Sequence, residues 1–144
     1  MEILVQRLDA EAVAPRYAHE GDAGCDLIAN EQTTLKARGG RALVGTGIAV
    51  AIPEGHGGFV LPRSGLASKH GVTCVNAPGL IDAGYRGEVR VALVNLDPEH
   101  DYTVERGDRI AQLVVMPVTA LQFQFTDDLP TAKRDAAGFG STGR

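Results

Sequence analysis

Residues 88–96 read EVRVALVNL. Val89, Val91, Leu93 and Asn95 alternate with Glu88, Arg90, Ala92 and Val94, the period of two expected of a β-strand with one well-buried face. Similar short runs of Val, Ile, Leu and Ala lie on both sides of it, between glycine and proline punctuation. They are EILVQRL at 2–8, ALVGTGIAVAIP at 42–53, GGFVLP at 57–62, VTCVN at 72–76, DRIAQLVVMPV at 108–118 and LQFQF at 121–125. Seven or more strands are expected. No window keeps apolar residues at i, i+3, i+4 and i+7 for more than about two turns, so a helical bundle and a βαβ fold both fit poorly. The pattern predicts a β-sandwich or barrel. One short helix is expected over SGLASKHG at 64–71, with Ser64 as its N-cap, Leu66 and Ala67 facing inward, and Gly71 as its stop.

The chain has 144 residues, 44% of them hydrophobic, which is enough for one domain with one core. The strand pattern ends near Thr126. TDDLPTAKRDAAGFGSTGR lacks apolar periodicity and predicts a flexible C-terminal arm over 126–144, beyond a β-domain over 1–125. The formal net charge of −4 argues against duplex nucleic acid as a partner, because that needs a basic face. No run reaches the ~18 apolar residues of a membrane span, and a cytoplasmic protein is expected. Cys25 and Cys74 can form at most one bridge and have no metal-site spacing, so both are expected to be reduced.

Four stretches carry polar residues where chemistry is possible. In RSG at 63–65, an arginine precedes the start of the short helix, whose free N–H groups favour an anion. The same residues also read as a plain cap with a surface arginine. NAPGLIDAGYRGEV at 76–89 reads as a hairpin whose peptide groups and Asn76 can address the hydrogen-bonding edge of a base. Within it Asp82 is either a carboxylate that orients water or an Asx turn, and Tyr85 either a ring that packs on a sugar or a half-buried hairpin aromatic. DAGCDL at 22–27 carries two aspartates around a tight loop, either turn chemistry or a weak magnesium site. RGDRIAQ at 106–112 is a turn feeding a strand, with Gln112 as a polar contact and Asp108 and Arg109 as a possible turn pair.

Taken in order, DAGCDL, PRSGLASKHGV, NAPGLIDAGYRGEVRVALVN, RGDRIAQLVV and RDAAGFGSTGR resemble the five motifs of the trimeric deoxyuridine triphosphatases, from residue 22 to residue 144. The resemblance implies a jelly-roll-like all-β fold and a homotrimer with active sites shared between subunits. It also implies Mg²⁺-dependent hydrolysis of dUTP to dUMP and pyrophosphate, which limits uracil in DNA and supplies dUMP for thymidylate synthesis. Carried across residue by residue, it makes Asp82 the base for the water that attacks the α-phosphorus. Tyr85 packs on the deoxyribose, and Asn76 binds uracil together with the backbone of Gly79, Leu80 and Ile81 through Tyr85. Arg63, Ser64 and Gly65 hold the phosphates, Gln112 adds a contact, and Asp26 fixes the water shell of magnesium. From the arm, Arg134 reaches the γ-phosphate, Phe139 covers the uracil, and Gly140, Ser141 and Thr142 close on the triphosphate.

Cys25 stands where members of that family often carry an aromatic or aliphatic residue, and a buried strand side chain accounts for it. His19, His56, His70 and His100 fall outside the motifs and are expected at the surface or in turns. Gly138 to Arg144 comes close to the start of a P-loop but lacks the strand before it and the helix after it. The related dCTP deaminases place a proton-shuttling glutamate on the strand after the hairpin. Ala92 occupies that place here and cannot transfer a proton. A catalytically silent nucleotide-binding module would be expected to lack Asp82, Arg63 or the arm, and all three are present.

Overall fold

The structure, a computed structural model, describes residues 1–131. Ten strands and one helix follow in chain order: β1 (Leu4–Arg7), β2 (Cys25–Ile28), β3 (Thr33–Leu35), β4 (Gly40–Ala51), β5 (His56–Leu61), α1 (Ser64–His70), β6 (Val72–Cys74), β7 (Gly79–Ile81), β8 (Glu88–Asn95), β9 (Tyr102–Val104) and β10 (Arg109–Pro117). They form two four-stranded sheets, β1-β4-β8-β6 and β2-β10-β5-β7, with a small β3-β9 ladder; every strand pair is antiparallel. This is the expected all-β, jelly-roll-like architecture. Among the described residues no helix is long and apolar enough to cross a membrane.

The alternation in β8 does what its period requires. Val89, Val91, Leu93 and Asn95 are buried, while Arg90 is exposed and Glu88, Ala92 and Val94 are half-buried. They meet Val44, Ile48 and Val50 of β4 and, from the facing sheet, Leu27, Val60, Ile81, Ile110 and Leu113. Leu35 and Val104 of the small ladder join the same core. Asn95 is tolerated there because its polar atoms are all used. Its Nδ2 donates to the carbonyls of Leu35 (3.1 Å) and His100 (2.8 Å), and its Oδ1 accepts from the Asp97 N–H (2.9 Å). Both cysteines are free, with Cys74 buried and Cys25 half-buried.

Three expectations need correction. LQFQF at 121–125 is not a strand, and Phe123 and Phe125 are 92% and 105% exposed. β10 pairs with β5 as far as Pro117 and with β2 as far as Leu113, and the chain then leaves the sheet, so period-2 alternation finds no ladder partner there. In α1 the N-cap is Arg63, not Ser64, with an extended backbone (φ −92°, ψ 128°) and no side-chain capping bond. Leu66 packs against the core, but Ala67 is exposed. Gly71 does end the helix, in the left-handed conformation (φ 64°). The third correction is that the arms of the 76–89 segment do not pair with each other: β7 is the terminal strand beside β5, whereas β8 lies in the other sheet between β4 and β6. The segment crosses from one sheet to the other.

Candidate active site

Asp26 is the second residue of β2 and is 3% exposed. Two guanidinium groups enclose it. Arg63 Nε stands 3.3 Å from Oδ1 and Arg109 Nη1 3.3 Å from Oδ2. Arg63 Nη1 also donates to the Arg109 carbonyl at 2.9 Å, tying the end of β5 to the start of β10. Oδ1 remains buried without a well-aligned hydrogen bond, because the nearby Arg63 Nε is off axis.

A bulge makes this cluster possible. Arg109 faces Ile28, Ala111 faces Leu27 and Gln112 faces Asp26, so β10 spends an extra residue, Ile110, against β2. Residues three apart on a regular strand point to opposite faces. With the bulge, Arg109 and Gln112 share the face that carries Asp26 and Ile28. Gln112 also faces Leu61 of β5, two residues before Arg63. Arg16 is bridged to Asp26 through the backbone (Asp26 N to Arg16 O, 2.8 Å), and a cavity of about 470 Å³ opens between Arg16, His19, Asp26 and Arg109. Sequence reasoning missed Arg16 and His19 as site neighbours and left Arg109 as a turn residue. No local signal marks them, since the register of β2 on β10 does the gathering.

Ser64 and Gly65 open α1 beside Arg63, and both are exposed. The first turn contains no acidic residue, so its N–H groups face no local negative charge. The helix start and the two arginines therefore lie next to each other.

The second cluster lies on the 76–89 crossover. Gly79 and Ile81 of β7 are buried while Leu80 is exposed, and among the described residues the peptide edge of β7 away from β5 has no neighbouring strand. Asn76 packs beside Gly79, where a Cβ would come within 3.2 Å of its Nδ2. Asp82 begins the turn, and its carbonyl accepts the Tyr85 N–H at 3.0 Å, which leaves the exposed carboxylate free to face solvent. The Tyr85 hydroxyl donates to the Glu88 carbonyl at 3.0 Å. Between the splayed strands is a cavity of about 280 Å³ walled by Ile81, Asp82, Tyr85, Glu88 and Arg90. A third, apolar groove of about 390 Å³ between Ile3, Val5, Cys25 and Leu113 carries no charged side chain; Cys25 belongs to it.

The two polar clusters do not meet within one chain. Ile81 faces Gly58, so Asp82 is level with Gly57, at the opposite end of β5 from Arg63. At about 3.3 Å per strand residue this places Asp82 and Arg63 roughly 15–20 Å apart. The structure thus brings Asp26, Arg63, Ser64, Gly65 and Gln112 together, and separately Asn76, Gly79, Leu80, Ile81, Asp82 and Tyr85. Arg134, Phe139, Gly140, Ser141, Thr142 and Arg144 lie outside the described residues.

Among the described residues no three His, Cys, Asp or Glu side chains are grouped to hold a metal ion directly. Asp26 offers one carboxylate with an unsatisfied oxygen. This suits a magnesium ion that takes its inner ligands from phosphate and water and touches protein only through a water.

The fold and these clusters define a class: jelly-roll-like β proteins that carry an arginine-flanked aspartate beside a short helix start and a separate carboxylate–tyrosine crossover. The dUTPase family profile matches residues 10–143. The deoxyuridine 5'-triphosphate nucleotidohydrolase of Leifsonia xyli is 58% identical over 129 residues, covering 90% of this chain and 84% of that protein. That of Thermobifida fusca is 53% identical over 143 residues, covering 99% and 79%. Staphylococcus bacteriophage 80alpha dUTPase, solved with dUPNHPP, superposes with a TM-score of 0.91 at 30% identity over 99% of both chains. A mutant dUTPase of S. aureus phage phi11, in which a structural Mg(II) ion is coordinated, superposes with a TM-score of 0.82 at 26% identity, over 91% of this chain and 100% of that one. The chain belongs to the dUTPase family and is an enzyme of the dUTP nucleotidohydrolase class.

Proposed function

We propose that the protein hydrolyses dUTP to dUMP and pyrophosphate with Mg²⁺, in the cytoplasm, as a homotrimer whose active sites combine residues of different subunits. The observation that carries this reading is the separation of two polar clusters within one chain. A general base must stand within hydrogen-bond reach of the water it activates, and that water must stand next to the α-phosphorus. Asp82 is too far from the Arg63 helix start to serve a triphosphate held there by the same chain. A neighbouring copy that presents its crossover to the arginine cluster completes the site.

In that site Asp82 takes a proton from water, and the hydroxide oxygen bonds to the α-phosphorus. The bond to the bridging oxygen breaks and pyrophosphate departs. The free peptide edge of β7, from Gly79 through Leu80 and Ile81, binds the polar edge of uracil with Asn76, and Tyr85 packs on the deoxyribose where a 2′-hydroxyl would need room. Arg63, the N–H groups of Ser64 and Gly65, and Gln112 hold the phosphates. Asp26 keeps Arg63 and Arg109 pointed at the ligand and would hold Mg²⁺ through water, and the ion would supply neutralisation of phosphate charge. Residues 1–125 act as the β-domain and 126–144 as a closing arm, in which Arg134 reaches the γ-phosphate, Phe139 covers uracil, and Gly140, Ser141 and Thr142 wrap the triphosphate. In the cell this activity limits uracil in DNA and supplies dUMP for thymidylate synthesis.

The experiment is pyrophosphate release from dUTP with Mg²⁺, with light scattering to give the oligomeric mass. Turnover by a trimer is expected. No turnover above background overturns the enzymatic reading, and a fully active monomer overturns the shared site. dCTP is expected to yield neither dUTP nor dUMP.

A further inference from the structure

Gly87 has a side-chain-free position that its backbone does not explain. Among the described residues the glycines with left-handed φ are Gly21, Gly39, Gly47, Gly55, Gly71 and Gly107, and Gly87 is not one of them. Its φ is open to any residue. What leaves no room for a side chain is Tyr85. A Cβ at Gly87 would overlap the Tyr85 hydroxyl and stand 2.7 Å from Cζ. The ring folds back across its own turn, over the bare Gly87 backbone, to reach the Glu88 carbonyl at 3.0 Å. Glu88 is itself anchored: its Oε1 accepts the Gly47 N–H at 2.8 Å, and Arg90 Nε stands 3.7 Å from Oε2.

Tyr85 is 46% exposed, so surrounding packing does not dictate its tilt. Two local features do, the hydroxyl bond to Glu88 and the absence of a Cβ at Gly87. We propose that Gly87 is a specificity-determining position, which sets the height of the Tyr85 ring and thereby the rejection of ribonucleotides. This rests on the reading of Tyr85 as the ring against the deoxyribose. An alanine at 87 lifts the ring by on the order of 1 Å, a displacement large enough to alter a close-packed contact with a sugar. The fold is spared, because the group that must move is the far end of one exposed side chain.

The test is kcat/KM for dUTP and for UTP in Gly87→Ala, Tyr85→Ala and the double variant. Gly87→Ala is expected to lower the dUTP/UTP ratio about tenfold, chiefly through KM, with little change in thermal unfolding. In the Tyr85→Ala background the same change is expected to do nothing further, because no ring remains to be lifted. An unchanged ratio in Gly87→Ala, or full additivity with Tyr85→Ala, overturns the inference. If Tyr85→Ala itself leaves the ratio unchanged, the reading of Tyr85 fails and the inference with it. If Tyr85→Ala collapses the ratio and Gly87→Ala does not, only the inference fails. Tyr85→Phe, which cuts the bond to Glu88 without touching Gly87, is expected to relax selectivity in the same direction, and an unchanged ratio there overturns the clamp equally.

Discussion

Asp26 lies inside β2 and Asp82 at the head of the turn after β7, and the two aspartates have opposite surroundings. Asp26 is buried between two guanidiniums that come from β10 and the end of β5. Asp82 is exposed at the head of a turn, and its carboxylate makes no hydrogen bond among the described residues. A carboxylate buried between two guanidiniums is committed to them by its geometry. It is well suited to hold those arginines in place. An exposed carboxylate in a shaped loop is one that a water can approach. In the proposed reaction the chain divides its labour between a rigid charge cluster that positions and a solvent-facing loop that reacts.

The sharpest way to break that comparison is to remove the reactive half alone. Asp82→Asn is expected to lower turnover about 10²–10⁴-fold while binding of a non-hydrolysable dUTP analogue changes little. Single-turnover kinetics with calorimetric binding reads both, and a near wild-type rate would show that another group is the base. If the arm acts as the proposed closure, truncation before Arg134 is expected to leave the oligomer folded with kcat reduced on the order of 100-fold. Loss of the trimer on scattering would make the arm structural.

Removing the rigid half has a different signature. Asp26→Ala leaves Arg63 and Arg109 facing each other without a counter-charge, and is expected to destabilise the fold by about 2–3 kcal/mol in urea titration, discounted because Arg109 is half-exposed. A loss under about 0.5 kcal/mol would mean that the pair is no more than a surface interaction.

The smallest effect belongs to Cys74, the buried last residue of β6. Burial pushes the Cys74 thiol from 9.0 up to about 11. Between those values the unfolded chain loses the proton and the native chain keeps it. Stability from this group is therefore fully present below pH 9 and is lost as pH rises towards 11, by on the order of 2 kcal/mol. Denaturant titrations of wild type and Cys74→Val from pH 8 to 11 measure the difference, and identical pH profiles would remove Cys74 as the cause.

The motif stretches marked both clusters, but not how each is built. Asp82, Tyr85 and Asn76 were legible because their loop is contiguous and its glycines signal a shaped turn. Arg109 was not, because its partnership with Asp26 depends on the extra residue Ile110 in β10, and a bulge leaves no mark in an otherwise regular apolar run. The choice of N-cap was missed for a related reason. Ser64 is the better capping residue by propensity, but the extended end of β5 carries the cap position to Arg63, whose side chain is committed to Asp26 and Arg109.

By itself the sequence determined the β class, the inward set Val89, Val91, Leu93 and Asn95, the Gly71 stop and the residues of each motif. These are consequences of period-2 alternation and local backbone preference, which need no partner. Tertiary structure decided which strands share a sheet. It separated β7 from β8, left 121–125 without a ladder, brought Arg109 to Asp26 and parted Asp82 from Arg63. Those outcomes depend on register and partner choice between strands distant in the chain, where alternation says which face turns inward but not which edge meets which.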